Sequence, residues 1–238
     1  MNRFLVLGDV HGNVPDLVRA LAHARPLQVD AILFVGDVGI DLTKARDNLE
    51  DHVSSIRHVL KMAQRTFSGI PTLFVPGNHD HPTASSELPG YVDGVTCSGE
   101  GWTVGGVGGA VGHFGFPYEP EEADMAVALE KLPPCDVLLL HQPPRQSLLA
   151  RCAGGYSGGS YSIQRWIEEG EHRHRAIVCG HIHEACGTDT ILTRGGREIL
   201  VMNAGSFGRP YPACRYGVLE LPNEADAPAT AEIVEVPR

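Results

Sequence analysis

Five short motifs carry the residues of this chain best equipped for metal chemistry. Gly8-Asp9-Val10-His11 follows the apolar run Phe4-Leu5-Val6-Leu7, and Gly36-Asp37 follows Ala31-Ile32-Leu33-Phe34-Val35. Gly77-Asn78-His79-Asp80 follows Leu73-Phe74-Val75, His141 follows Val137-Leu138-Leu139-Leu140, and Gly180-His181-Ile182-His183 follows Ala176-Ile177-Val178-Cys179. The donors Asp9, His11, Asp37, Asn78, His141, His181 and His183 are oxygen and imidazole groups without a thiolate. Such a set suits a pair of divalent ions such as manganese, iron or zinc.

A phosphate ester resists hydrolysis because its anionic oxygens repel a nucleophile. Two cations about 3.5–4 Å apart neutralise those oxygens, acidify a bridging water and align in-line attack. Such a centre needs one carboxylate able to bridge both ions, with neutral ligands around it. Asp37, alone at its strand end, is the natural bridge. Asp9 and His11 are two apart, as are His181 and His183, and on extended backbone such pairs point the same way. Two imidazoles at the end of one buried strand are costly without a partner.

These residues need strands behind them. The apolar runs 3–7, 31–35, 72–75, 135–140 and 176–179 read as buried strands, whose carboxyl ends are where open α/β sheets build active sites. Between them, Asn13 caps a short helix with Pro15 in its first turn. Residues 43–66, 119–132 and 160–169 read as helices from apolar spacing and acidic starts. Residues 90–112 read as short strands and turns, 146–159 as a Gly/Ser/Tyr loop, and the last third as strands at 189–193, 198–202, 215–221 and 231–236. An α/β first half and a β-rich second half are both satisfied by two sheets packed face to face with helices outside.

The composition narrows the classes of partner. The 238 residues carry a net charge of −10 and 6% aromatics, which argues against a basic nucleic-acid surface or a stacking platform for single strands. The six cysteines include no Cys-x-x-Cys pair, and Cys135 and Cys179 read as small core residues. No segment is apolar enough to span a bilayer, and Met1 leads straight into a strand, so a cytoplasmic setting is expected.

The ordered set Gly-Asp-Val-His, Gly-Asp, Gly-Asn-His-Asp, a lone His and Gly-His-Ile-His resembles the calcineurin-like metallophosphoesterase superfamily, over residues 3 to about 208. The resemblance implies a four-layer α/β/β/α sandwich, as one domain over residues 1–238, around a dinuclear site of manganese, iron or zinc. It implies Asp9, His11, Asp37 and His183 on one ion, and Asp37, Asn78, His141 and His181 on the other. His79 would serve the leaving-group oxygen, with Asp80 holding its ring. Asn203-Ala204-Gly205-Ser206 resembles the closing loop, where Asn-Pro-Gly-Ser is common, with Ala204 in place of Pro. Gly36-Asp37-Val38-Gly39-Ile40-Asp41 lacks the Arg of the protein Ser/Thr phosphatases. His141-Gln142-Pro143-Pro144 and Gly180-His181-Ile182-His183-Glu184-Ala185 are similar to small Icc-related phosphoesterases, relatives of the class III cyclic nucleotide phosphodiesterases.

The activity implied is hydrolysis of small phosphodiesters, cyclic nucleotides among the candidates, by in-line attack of metal-bound hydroxide. A phosphomonoesterase on the same site is the alternative, and a nuclease or a non-catalytic scaffold ranks below both. Arg145, Tyr156 and Arg209, on loops near ligand-bearing strands, are candidate substrate contacts. His23, His52, His58, His113, His172 and His174 read as surface residues, and His81 as a residue near the site's mouth or on the surface. Gly105-Gly106-Val107-Gly108-Gly109 lacks the Lys-Ser/Thr of a P-loop and reads as a tight turn between the sheets. The sequence sets no oligomeric state.

Overall fold

The computed structural model describes residues 1–41, 49–170, 173–207, 214–224 and 227–237. Its elements run β1 (Asn2–Leu7), α1 (Val14–Ala24), β2 (Ala31–Val35), α2 (Leu49–Thr66), β3 (Thr72–Val75), α3 (Pro82–Ser85), β4 (Thr96–Gly99) and β5 (Trp102–Val107). There follow α4 (Glu122–Lys131), β6 (Val137–Leu140), α5 (Tyr161–Glu169), β7 (Ala176–Cys179), β8 (Gly187–Leu192), β9 (Glu198–Asn203), β10 (Cys214–Leu221) and β11 (Thr230–Val236). The predicted helix over 43–66 is present from Leu49, and its first six residues lie outside the described ones.

Two mixed sheets form, ordered β11-β10-β1-β2-β3 and β4-β5-β6-β7-β9-β8. Strands β1, β2 and β3 are mutually parallel, as are β5, β6, β7 and β9. Side chains alternate across each strand. Phe4, Val6, Leu33, Val35 and Val75 of the first sheet meet Val104, Val137, Leu139 and Val178 of the second in an apolar layer between the sheets. Leu5, Leu7, Ile32 and Phe34 face Leu17, Leu21, Ile56 and Leu60 of α1 and α2. Leu138, Leu140 and Ile177 face Met125, Leu129, Ile163 and Ile167 of α4 and α5. The result is the expected four-layer α/β/β/α sandwich, and strands buried on both faces explain the uninterrupted apolar runs. Among the described residues no helix is long and apolar enough to cross a membrane.

Three expectations need correction. The glycine run is not a turn between sheets, because Gly105, Gly106 and Val107 complete strand β5. A Cβ at Gly106 would collide with Val75 of the facing sheet and with Leu139 of the neighbouring strand. Small residues are needed there because the two sheets approach closely. His52 and His174 are buried rather than exposed. His52 Nδ1 donates to the Ile40 carbonyl at 2.7 Å, and His174 Nδ1 donates to that of Cys135 at 2.8 Å. Each ring thus satisfies a buried backbone oxygen, a use that helical spacing does not reveal. His172 lies outside the described residues.

Candidate metal centre

All five ligand-bearing turns meet at one end of the two sheets, because parallel strands end on the same side. The turns after β1 and β2 are laced together. His11 N–H donates to the Asp37 carbonyl at 2.8 Å and Asp9 N–H to that of Gly36 at 3.3 Å. The Asp37 carboxylate accepts from His79 N–H at 2.9 Å, and that of Asp9 accepts from His181 N–H at 3.0 and 3.1 Å. The candidate ligands therefore orient one another's backbone.

Asp9, His11, Asp37 and His181 have φ between +46° and +66°, and among the described residues they are the non-glycine residues with positive φ. Each such residue costs of order 1 kcal/mol or more. Side chains two apart do converge here, but through left-handed turns rather than the extended backbone expected. Gly77 and Gly180 allow the approach: a Cβ on Gly77 would overlap the Asp37 carboxylate, and one on Gly180 that of Asp9.

Two donor groups share Asp37. Asp9, His11, Asp37 and His183 each offer a donor atom, all within 4.8 Å of one another. On the other side Asn78 Oδ1 lies 2.9 Å from His141 Nε2 and 3.0 Å from His181 Nδ1. Asp37 Oδ2 is 3.5 Å from His141 Nε2 and 3.7 Å from His11 Nε2. His141 donates its Nδ1 proton to the Val35 carbonyl at 2.8 Å, and His11 donates its own to Asp41 at 2.6 Å. Held this way, each ring once deprotonated for metal ligation would carry its lone pair on Nε2, which faces Asn78 Oδ1 in His141 and Asp37 Oδ2 in His11. Oxygen and nitrogen lone pairs converging on two points are what a pair of cations would satisfy.

The charges of this pocket follow from burial and mutual proximity. Burial would raise the Asp9 carboxyl, but His183, His141 and His11 hold it below the usual range. Burial pushes Asp37 up, against the pull of His141 and His11. Burial opposes charge on His11, yet its bond to Asp41 and the Asp37 and Asp9 carboxylates push it to about 9. Burial, with His141 beside it, takes His181 down to about 3.

Asp80 does not hold the His79 ring. Its buried carboxylate accepts from the backbone N–H groups of Val38, Gly39 and Gly77 at 3.0, 3.2 and 3.0 Å. It thereby ties the turn carrying Asp37 to the turn carrying Asn78. The His79 ring packs on Phe116, with centroids 4.1 Å apart, while Nε2 stands 4.0 Å from Asp37 Oδ2. Asn203 behaves as a closing residue despite Ala204. Its amide donates to the Ile182 carbonyl at 3.0 Å and its oxygen accepts from Gly205 N–H at 2.8 Å. His81 caps α3, accepting from Ala84 N–H at 3.3 Å.

A cleft of about 560 Å³ opens from Asp37, Asn78, His79, His181 and His183. Arg145 and Tyr156 line it. Arg145 Nη1 donates to the Ser157 and Gly159 carbonyls at 2.6 and 3.3 Å, and its guanidinium lies 4.5 Å over the Tyr161 ring. Arg209 lies outside the described residues. Sequence reasoning missed Asp41 and Phe116. An acid four residues after Asp37, and a Phe-Gly-Phe triplet in a chain poor in aromatics, were the available signals.

The comparisons with known proteins agree with this fold. The family model described as calcineurin-like phosphoesterase matches residues 2–185. One solved structure is 18% identical with a TM-score of 0.70, covering 99% of both chains. A Thermus thermophilus protein is 16% identical with a TM-score of 0.67, also over 99% of both chains. A dimetal phosphatase from Danio rerio is 11% identical with a TM-score of 0.57, over 92% of both chains. No curated protein matches the sequence. With a family match over most of its length, the chain belongs to the calcineurin-like phosphoesterases.

Proposed function

We propose that the chain hydrolyses small phosphodiesters at a two-cation centre held by Asp9, His11, Asp37 and His183 on one side and Asp37, Asn78, His141 and His181 on the other. The observation that carries this reading is the convergence of two donor groups on the single carboxylate of Asp37. Divalent cations bound there, whether manganese, iron or zinc, supply Lewis acidity and a water acidified to near neutral pH. Asp37 faces both groups, Asp41 and the Val35 carbonyl fix the His11 and His141 rings, and His79 hands a proton to the departing oxygen. Phe116 keeps the His79 ring turned to the cleft.

The charge of the cleft favours a diester. A phosphomonoester approaches two negative charges near neutral pH, its second pKa being about 6, whereas a diester carries one. The lining offers Arg145, whose Nη1 is held by backbone carbonyls, beside the carboxylates Glu122 and Glu184. The apolar layers run through the whole sandwich, which supports reading residues 1–238 as one domain. Buried thiols at Cys135 and Cys179 support a reducing, cytoplasmic setting.

The test is to strip the protein with chelator, restore manganese and compare bis(4-nitrophenyl) phosphate with 4-nitrophenyl phosphate. Faster diester cleavage is expected, and a faster monoester would make the protein a phosphomonoesterase. Asn78→Ala and Asp37→Asn are expected to lower kcat by more than about 100-fold with the circular dichroism spectrum retained. Undiminished turnover in either variant would refute the assignment.

A further inference from the structure

The loop between β5 and α4 presents an aromatic surface to the cleft that the hydrolytic chemistry does not require. Phe114 is 83% exposed, and it lines the cleft together with Phe116 and Tyr156, an apolar patch of the kind that marks a binding groove rather than a lone surface ring. Its centroid is 6.1 Å from that of Phe116, at 40°, and Phe116 in turn lies on the His79 ring. An unbroken row of rings thus leads from the candidate proton donor out to the mouth. Tyr156, 66% exposed, enters the same cleft from the loop after β6.

This surface is built rather than left over. The Glu119 carboxylate accepts from the backbone N–H groups of Phe114, Gly115 and Phe116 at 3.1, 2.7 and 3.0 Å. Gly115, at φ +87°, makes the bend that a side chain would resist. A loop fixed by three bonds to a carboxylate cannot readily fold Phe114 away. The polar neighbours are occupied by the protein itself. Gln142 Oε1 accepts from Val111 N–H at 2.9 Å and its Nε2 donates to the Gly158 carbonyl at 2.8 Å.

We propose that Phe114 and Phe116 form a stacking platform for a nucleobase on the phosphoester substrate, so that the protein acts on nucleotide esters and reads the face of the base rather than its edge. The proposal rests on the phosphoesterase reading and adds the substrate class. A base has a π-face whatever its identity, so stacking selects for a ring with little discrimination among bases. The position beside His79 puts the base on the leaving-group side of the phosphorus. The bond that breaks is then the one from phosphorus to the nucleoside oxygen, and that oxygen receives the His79 proton.

Adenosine 5′-monophosphate and ribose 5-phosphate share phosphate and sugar and differ by the base alone. Titrated calorimetrically into the manganese-loaded protein, the adenosine ester is expected to bind roughly tenfold tighter, in keeping with base–aromatic stacking measured by truncation. Phe114→Ala and Phe114→Leu should both bring that ratio towards one, because leucine keeps apolar bulk and loses the π-face. Since Phe114 is exposed, neither substitution threatens the core. Equal affinity of the two esters in the native chain, binding of neither, or a ratio that survives both substitutions overturns the platform. Failure of the underlying reading shows separately, as absence of manganese-dependent hydrolysis of bis(4-nitrophenyl) phosphate.

Discussion

The bond from His11 Nδ1 to Asp41 fixes the ring's orientation and leaves Nε2 free to face Asp37 and His183. A carboxylate behind a ligating imidazole raises its basicity, and losing such a partner lowers metal affinity by about 10- to 100-fold. Asp41→Asn is therefore expected to weaken manganese binding by that margin, measured by competition with a chelating dye, while the fold persists. Unchanged affinity would mean that the Asp41 contact is incidental. At this scale the ligand set was legible because donor type and motif order are written in the sequence. The local geometry was not. Nothing in Gly-Asp-Val-His says that Asp9 and His11 both adopt positive φ, since such strain is imposed by contacts with Gly36, Asp37 and Val38 across the site.

Elements are held to one another by carboxylates that accept from backbone N–H groups. Asp80 bridges the turns after β2 and β3 through three backbone amides. Asp80→Asn would set an NH2 group against backbone N–H donors, and about 2–4 kcal/mol of stability should be lost, from leaving such groups unsatisfied. Urea denaturation of the metal-free chain measures it. A variant with native stability but lowered kcat would instead favour the ring-holding role first expected for Asp80. Glu122 does similar work between α4 and α5, accepting from Ser160 Oγ and from the N–H groups of Tyr161 and Ser162 at 2.7, 3.0 and 2.8 Å. Partial burial opposes the charge, but these bonds bring its carboxyl below the usual range. A depressed carboxyl stabilises above its unfolded pKa and loses that contribution as pH falls through the folded value. Glu122→Gln should thus lower Tm at pH 7, with the difference closing as the pH falls below the ordinary carboxyl range and through the depressed folded value. A gap independent of pH would contradict the assignment. The strands were legible because burial on both faces leaves an apolar run. The glycines of β5, the buried His52 and the buried His174 were not, because each answers to a partner distant in sequence.

At the scale of the molecule, function depends on two sheets delivering their strand ends to one place. Beta strands early and late in the chain were foreseen, but the pairing of β10 with β1, Asn2 opposite Leu221, could not be read from local pattern. That pairing sets the late segment beside β1, where Ser206 and Phe207 reach the Asp9 carbonyl at 3.4 and 3.2 Å. The substrate cleft was the least legible part, since it is lined mainly from loops, whose sequences carry no periodicity. What those loops enclose is a centre with two donor groups and one shared carboxylate. Its most direct test is a manganese titration of the chelator-stripped protein, following bis(4-nitrophenyl) phosphate hydrolysis against equivalents of metal per chain. No turnover is expected without metal, and with metal a rise that levels off at two equivalents. Turnover that survives stripping, or full activity at one equivalent, would contradict a two-cation centre.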